Sequence, residues 1–223
     1  MKIAILGGTG EQGFGLALRF AKNMNHEVII GSRKEEKAED AAEKVKSVLK
    51  GRGIDANVSG LGNSGAAKEG DVVILSLPYQ YSSIVKELKE LLAAKIVVSM
   101  GVSLATVIGD KPTRSLPPPQ GSVAEMIREK LKDSRVVSAF QNVSSEALEN
   151  LDNPVDCDLL VCGDDEEAKS VVMTLADEIP GIRTIDCGEL EMSRIVEQIT
   201  PLLIKLNIKH KIKLGAGIRI TGI

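Results

Sequence analysis

The sequence is poor in the residues that most often carry chemistry or grip nucleic acid. It holds no tryptophan, two tyrosines and three phenylalanines in 223 residues, which leaves little from which to build a base-stacking platform. No charge dominates: 28 basic against 31 acidic side chains give a formal charge of −3, so there is no general attraction to nucleic acid or to an anionic membrane. No run approaches the roughly 18 apolar residues of a membrane span. The first apolar run, Ile3 to Leu6, follows Lys2 and breaks at once into glycine, so a signal peptide is not expected. Cys157, Cys162 and Cys187 make no C-x-x-C and cannot all pair. They are expected to be reduced, buried thiols in a cytoplasmic protein. His26 precedes a strand and His210 lies near the tail. The first is on the wrong side of the sheet for chemistry and the second has no recognisable partner; no Ser/His/Asp set, metal-ligand spacing or P-loop occurs, so no catalytic side chain and no metal ligand is nominated.

Against these absences stands one dense stretch, Ile3-Ala-Ile-Leu-Gly-Gly-Thr-Gly-Glu-Gln-Gly-Phe-Gly. Gly8, Gly10 and Gly13 fall on the G-x-G-x-x-G spacing of a dinucleotide fingerprint, with an apolar strand before and the apolar helix residues Leu16, Ala17, Phe20 and Ala21 after. Gly8 serves the tight turn, Gly10 the approach of a pyrophosphate, and Gly13 the packing of helix on strand. The free N–H groups and positive dipole end of that helix then face the phosphates. An NAD-binding fold normally ends its second strand on Asp or Glu, about 20 residues past the glycines, to hold the ribose 2′-OH. Here the strand over His26–Ile30 runs into Gly31-Ser32-Arg33-Lys34, with no carboxylate. A hydroxyl and a guanidinium suit a 2′-phosphate, with Arg33 as the forked donor and Ser32 as the neutral one. Lys37, one turn into the next helix, adds a positive charge or is simply a solvated helix residue. The expected cofactor is NADP.

Downstream, strand and helix patterns alternate. Ala38, Ala41, Ala42, Val45, Val48 and Leu49 mark an amphipathic helix over 34–50. The run from Asp71 to Leu77 reads as a buried strand ending at Pro78. Ile84, Val85, Leu88, Leu91 and Leu92 mark a helix, and Lys95 to Met100 another strand. Such runs between helices imply a parallel sheet covered on both faces, with ligands at the carboxyl ends of its strands. That nominates Leu77, Pro78 and Tyr79, and then Met100, Gly101, Val102 and Ser103. The irregular segment 101–121 carries Pro112, Pro117, Pro118 and Pro119. It is either a wall over the cofactor, with Lys111 and Arg114 facing an anion, or a stiff connection to the next helix. A strand at 135–140 precedes Gln141-Asn-Val-Ser-Ser, and the remainder reads as a smaller α/β lobe. Its acidic Asp164-Asp-Glu-Glu is helix-start chemistry rather than a metal site. A strand over 182–187 is followed by a helix from about Glu191, kinked or restarted at Pro201, with an apolar stripe wide enough to be buried, a subunit interface being one place for it. The expected fold is an α/β, Rossmann-type doubly wound parallel sheet over 1–140, with a small C-terminal lobe over 141–223.

These motifs resemble the F420-dependent NADP reductases. The likeness lies in Gly7-Gly-Thr-Gly-Glu-Gln-Gly, Gly31-Ser-Arg, Leu77-Pro, Val161-Cys-Gly-Asp-Asp-Glu, Ser193-Arg-Ile-Val-Glu and Thr200-Pro-Leu, and spans almost the whole chain. It implies two diffusible coenzymes, NADP(H) and the deazaflavin coenzyme F420, the latter in a cleft between the lobes. It further implies a homodimer and direct hydride transfer between C5 of the deazaflavin and C4 of the nicotinamide. By matching motifs, Thr9, Gly10, Glu11, Gln12, Ser32, Arg33 and Lys37 would hold NADP, while Leu77, Val102 and the 139–142 stretch beginning at Ala139 would line the cleft. Tyr79, Tyr81 and Gln141-Asn142 depart from the family pattern. Such a transfer needs ring stacking and dryness more than an acid or base. An NADP-dependent reductase of a small carbonyl or imine, and a non-catalytic NADP(H) sensor, are the other readings of the same residues.

Overall fold

The computed structural model describes residues 1–79 and 83–223; Tyr81 lies outside the described residues. One eight-stranded sheet runs through them in the order β3-β2-β1-β4-β5-β6-β7-β8. Its first six strands are β1 (Lys2–Leu6), β2 (Glu27–Ser32), β3 (Val58–Gly62), β4 (Val72–Leu75), β5 (Ile96–Ser99) and β6 (Arg135–Ser138), all mutually parallel. β7 (Cys157–Gly163) joins β6 antiparallel, and β8 (Ile182–Asp186) runs parallel to β7. The expected boundary at 140 falls where the sheet changes direction, and the sheet itself continues across it. No helix among the described residues is long and apolar enough to cross a membrane.

Side-chain alternation decides which layer each helix joins. In β1, Ile3 and Ile5 point to one face and Ala4 and Leu6 to the other. The first face is covered by α1 (Glu11–Phe20), α2 (Glu35–Lys50), α7 (Ser145–Glu149) and α8 (Glu166–Asp177). The second is covered by α3 (Asn63–Glu69), α4 (Ile84–Glu87), α5 (Lys89–Leu92), α6 (Val123–Lys130) and α9 (Ser193–His210).

The structure departs from the sequence expectations, or narrows them, at four places. β3 was not anticipated, because Val-Ser-Gly-Leu-Gly carries neither alternation nor a β-branched run. Its Gly60 is required by packing, since a Cβ there would overlap the α2 backbone at Ala38 and Glu39. The helix expected over 84–92 is two short pieces, broken where Leu88 takes φ −92° and ψ 2°. Pro201 sits inside one uninterrupted helix, which excludes a restart there. Finally, the stripe of α9 is only partly covered: Val196 and Leu203 are buried, whereas Ile195, Leu202 and Ile208 are more than half exposed.

The acidic run at 164–167 does start a helix. Asp165 caps α8 by accepting from the Ala168 N–H at 2.8 Å, and Asp164 accepts from the Leu190 N–H at 2.9 Å. A buried anchor lies behind the glycine loop. Arg19, on α1 and 5% exposed, donates to the carbonyls of Leu148, Ala147, Asn150 and Asn153 at 2.6–3.0 Å. It thereby satisfies the carbonyl end of α7 and locks α1 to the second half of the chain.

Candidate functional site

Above the carboxyl ends of β1, β2, β4 and β5 opens a cavity of about 1060 Å³, at or above the roughly 300–1,000 Å³ range of ordinary small-molecule sites. The glycine loop forms its floor. Gly7 leaves β1 with φ 74°, a left-handed turn that favours glycine. A Cβ on Gly8 would lie 2.8 Å from the Ile5 carbonyl oxygen, and one on Gly13 would lie 2.6 Å from the Gly8 Cα. The fold itself therefore demands glycine at both, and neither lines the cavity. Gly10 differs. A Cβ there would meet only the Gly7 oxygen, at 3.5 Å, and its φ of −82° suits any residue. The space over Gly10 is a cradle that the fold leaves clear. Gly10 is also the N-cap of α1 with no side-chain cap, so the first N–H groups of that helix are available to an anion.

Thr9, Gly10, Glu11 and Gln12 line this floor, and Ser32, Arg33 and Lys37 line the adjoining wall. Ser32 is the last residue of β2 and buried, and its hydroxyl accepts from the Lys34 N–H at 3.3 Å. Arg33, Lys34 and Lys37 are exposed around it. Lys34 is a third wall cation whose side chain had no role assigned from the sequence. The neighbouring Glu35 turns to the Gly62 N–H at 3.3 Å, so its carboxylate is occupied with β3. This end thus offers a hydroxyl, backbone donors and three cations, the donor set of a phosphate. Asn63, the first residue of α3, lines the same end at 5% exposure with both amide atoms unpartnered. A buried amide without partners costs about 1–3 kcal/mol, which a ligand would relieve.

The opposite end is apolar in the segments that leave the strands, and Ser83, Ile84 and Glu87 at α4 also line the cavity. Leu77, Pro78 and Tyr79 come from the end of β4, Met100, Gly101 and Val102 from the end of β5, and Phe140 from the end of β6. Leu104, Thr106 and Val107 add a wall from the 101–121 segment, which contains a short 3₁₀ turn over Ala105–Ile108 and a bridge between Leu104 and Ser115. Neither Lys111 nor Arg114 reaches the cavity. Arg114 is ion-paired with Asp110 instead, so the wall is apolar rather than cationic.

At the end of β6 the sequence expectation divides. Ala139 is fully buried in the core and lines nothing. Asn142 is structural too, donating to the Asp158 carbonyl at 2.7 Å and accepting from the Leu160 N–H at 3.3 Å, which pins β7. Between them Phe140 takes φ 73°, unusual for a residue with a side chain and a sign of stored strain. That twist presents Gln141 to the cavity. The Gln141 amide donates to the Ser99 carbonyl at 2.8 Å and the Ser138 hydroxyl at 2.7 Å, leaving its oxygen buried without a partner. Thr200 of α9 donates to the Gln141 carbonyl at 2.8 Å and completes the wall. Thr200 was noticed in the sequence only as part of a motif; a partner 59 positions away leaves no local signal.

Histidine and cysteine are absent from the described lining. His26 pairs with Glu178 at 2.8 Å, behind the sheet. α9 holds this end through Glu197, which is 2% exposed and accepts from the Val123 and Ala124 N–H groups at 2.9 and 3.1 Å. Burial, outweighing those two hydrogen bonds, raises its carboxyl to about 7.

The residues present fit a dinucleotide at the cationic end, on the uncapped helix terminus, the cleared cradle over Gly10 and the unsatisfied Asn63 amide. Comparison with known proteins agrees. The sequence profile of the family "NADP oxidoreductase coenzyme F420-dependent" matches residues 2–103. An F420-dependent NADP reductase of Methanocaldococcus jannaschii is 70% identical, covering 100% of this chain and 99% of that protein. One from Methanothermobacter marburgensis is 45% identical over 100% of this chain and 99% of its own. The crystal structure of an Arthrobacter sp. FB24 protein described as an F420-dependent NADP reductase superposes with a TM-score of 0.80 at 25% identity, over the whole of both chains. The doubly wound fold, the cationic end of the cavity and this full-length identity converge: the chain belongs to the F420-dependent NADP reductase family.

Proposed function

We propose that this chain binds NADP at the cationic end of the cavity and coenzyme F420 against the apolar end, and catalyses reversible hydride transfer between them. The observation that carries this is one continuous cavity with two chemically opposite ends. When both are bound, the coenzymes supply the chemistry: a hydride moves between C5 of the deazaflavin and C4 of the nicotinamide. The protein's task is to hold two rings in register and keep water out.

Each group has a place in that task. The N–H groups at the start of α1, with Thr9 and Gln12 beside them, receive the pyrophosphate over Gly10. Ser32, Arg33, Lys34 and Lys37 receive the 2′-phosphate, and Asn63 satisfies its amide on the adenosine half. Leu77, Pro78 and Val102 form the dry wall of the ring end. Gln141, held by Ser99, Ser138 and Thr200, offers its unsatisfied oxygen to an amide or ring N–H. No acid or base is required of these residues.

The 1–140 segment is the NADP domain in this reading, and 141–223 supplies Gln141 and Thr200 to close the cleft. The exposed Ile195, Leu202 and Ile208 of α9 favour a homodimer through that helix. The scarcity of cysteine and its reduced state favour a cytoplasmic location. The test is optical. NADPH with oxidised F420 is expected to bleach the deazaflavin absorbance rapidly, and NADH is expected to do so far more slowly. Unchanged absorbance, with NADPH demonstrably bound, would overturn the assignment of the ring end.

A further inference from the structure

Hydride transfer makes no use of the cysteines, yet the fold brings two of them together. Strands β7 and β8 pair with Val161 beside Asp186, and the Cys187 N–H donates to the Val161 carbonyl at 2.8 Å. The next residues along these parallel strands are Cys162 and Cys187. Their side chains share one small cluster with Leu160, Ile185, and Val196 and Ile199 of α9. Neighbouring parallel strands lie about 4.8 Å apart, inside the roughly 4.4–6.8 Å Cα separation that a disulfide spans. Twenty-five positions separate the pair, so no C-x-x-C motif announces it.

We propose that Cys162 and Cys187 form a redox-active dithiol that closes to a disulfide by exchange with a low-molecular-weight disulfide. The two sulfurs are unequal, as an exchange couple requires. Cys187 is only partly buried while Cys162 is fully buried. The neighbouring Cys162 thiol brings the Cys187 thiol down to about 7, against opposition from burial and from Asp186, and the Cys187 S–H itself points to the Ile185 carbonyl at 3.6 Å. The Cys187 thiol, with burial, pushes Cys162 up. Lys169, 3% exposed and bridging Glu166 and Asp186 at 2.9 Å each, adds a positive charge nearby. Cys157 is the internal control: it is buried, it has no thiol neighbour, and burial raises it to about 11.

In the step, the Cys187 thiolate attacks one sulfur of the external disulfide, breaking that S–S bond and releasing one thiolate. The Cys162 thiol then loses its proton to that thiolate and attacks the Cys187 sulfur, expelling the second. Two electrons pass from the protein dithiol to the external disulfide, which departs as two thiols.

The experiment treats the full-length protein with oxidised glutathione and follows intact mass, free thiols and linked peptides. Two of three thiols are expected to disappear, the mass to fall by two hydrogens, and a digest to yield Cys162 linked to Cys187, all reversed by dithiothreitol. Cys157→Ser is expected to behave identically. Cys187→Ser is expected to lose the reaction. Alkylation of Cys187 by iodoacetamide in Cys157→Ser, which leaves the pair intact, is expected to rise with a midpoint near pH 7. A wild-type protein that keeps three free thiols, or one that stops at a glutathione adduct on Cys187 without closure, would overturn the proposal.

Discussion

The two ends of the cavity solve different problems. At the glycine end the donors are fixed: backbone N–H groups of an uncapped helix, a buried serine and three cations that flank it. At the ring end nothing is charged in the wall built by Leu77, Pro78, Val102 and Phe140. Hydrogen bonds to charged groups contribute about 1.5–3 kcal/mol each, so affinity is concentrated at the first end. Apolar walls that make contact and exclude water add little discrimination but set the distance between rings, so rate is concentrated at the second. On the proposed function the chain thus separates holding from reacting, and substitutions at the two ends should fail in different ways.

The largest effect is expected from Gly10→Val. The fold tolerates a side chain there, but the cradle does not, so NADP binding by fluorescence titration should weaken at least about a thousandfold, or 4 kcal/mol, with an unchanged circular dichroism spectrum. Normal binding by the folded variant would make the loop a structural turn. Arg33→Ala comes next. It should raise the KM for NADP about 10–100-fold and leave that for NAD nearly unchanged; equal effects would remove the 2′-phosphate from this wall.

Thr200→Val breaks the other end. Removing one neutral hydrogen bond, worth about 0.5–1.5 kcal/mol, should lower the rate of deazaflavin reduction about two- to tenfold without changing the Kd for NADP. A change confined to NADP affinity would contradict the division.

The smallest effect concerns the joint that holds the ring end. Glu197 has its folded-state carboxyl raised to about 7, above an unfolded value near 4.3. Between these pH values the folded chain binds more protons than the unfolded one, so stability falls as pH rises through the window. Melting at pH 5 and pH 8 should therefore show wild type losing a few degrees more than Glu197→Gln, at about 2–4 °C per kcal/mol for a chain of this size. Equal losses would mean that Glu197 does not titrate there.

The same contrast explains what the sequence revealed. The glycine end was legible because its determinants are local: Gly8, Gly10 and Gly13 lie within six residues, and Ser32-Arg33 follows directly on β2. That Leu77, Pro78 and Val102 line the cavity was legible because clefts of a parallel sheet open at its strand ends. The ring end's far wall was not, since it depends on contacts between distant segments. Thr200 reaches Gln141 only through the packing of α9, and the positive φ of Phe140 decides that Gln141, rather than Ala139, faces the cavity. β3 escaped because Gly60, which α2 requires, removes the pattern by which a strand is recognised. Antiparallel β7 also left no trace of its orientation, for a buried strand reads the same in either direction.

The division between the two ends is tested most directly by binding half-ligands to the wild-type protein. Calorimetric titrations with adenosine 2′,5′-bisphosphate and with nicotinamide mononucleotide separate them without any mutation. The bisphosphate is expected to bind at least about a hundredfold more tightly, a difference near 2.7 kcal/mol. Equal affinities, or tighter binding of the nicotinamide half, would contradict the claim that the cationic end holds the coenzyme and the apolar end only positions it.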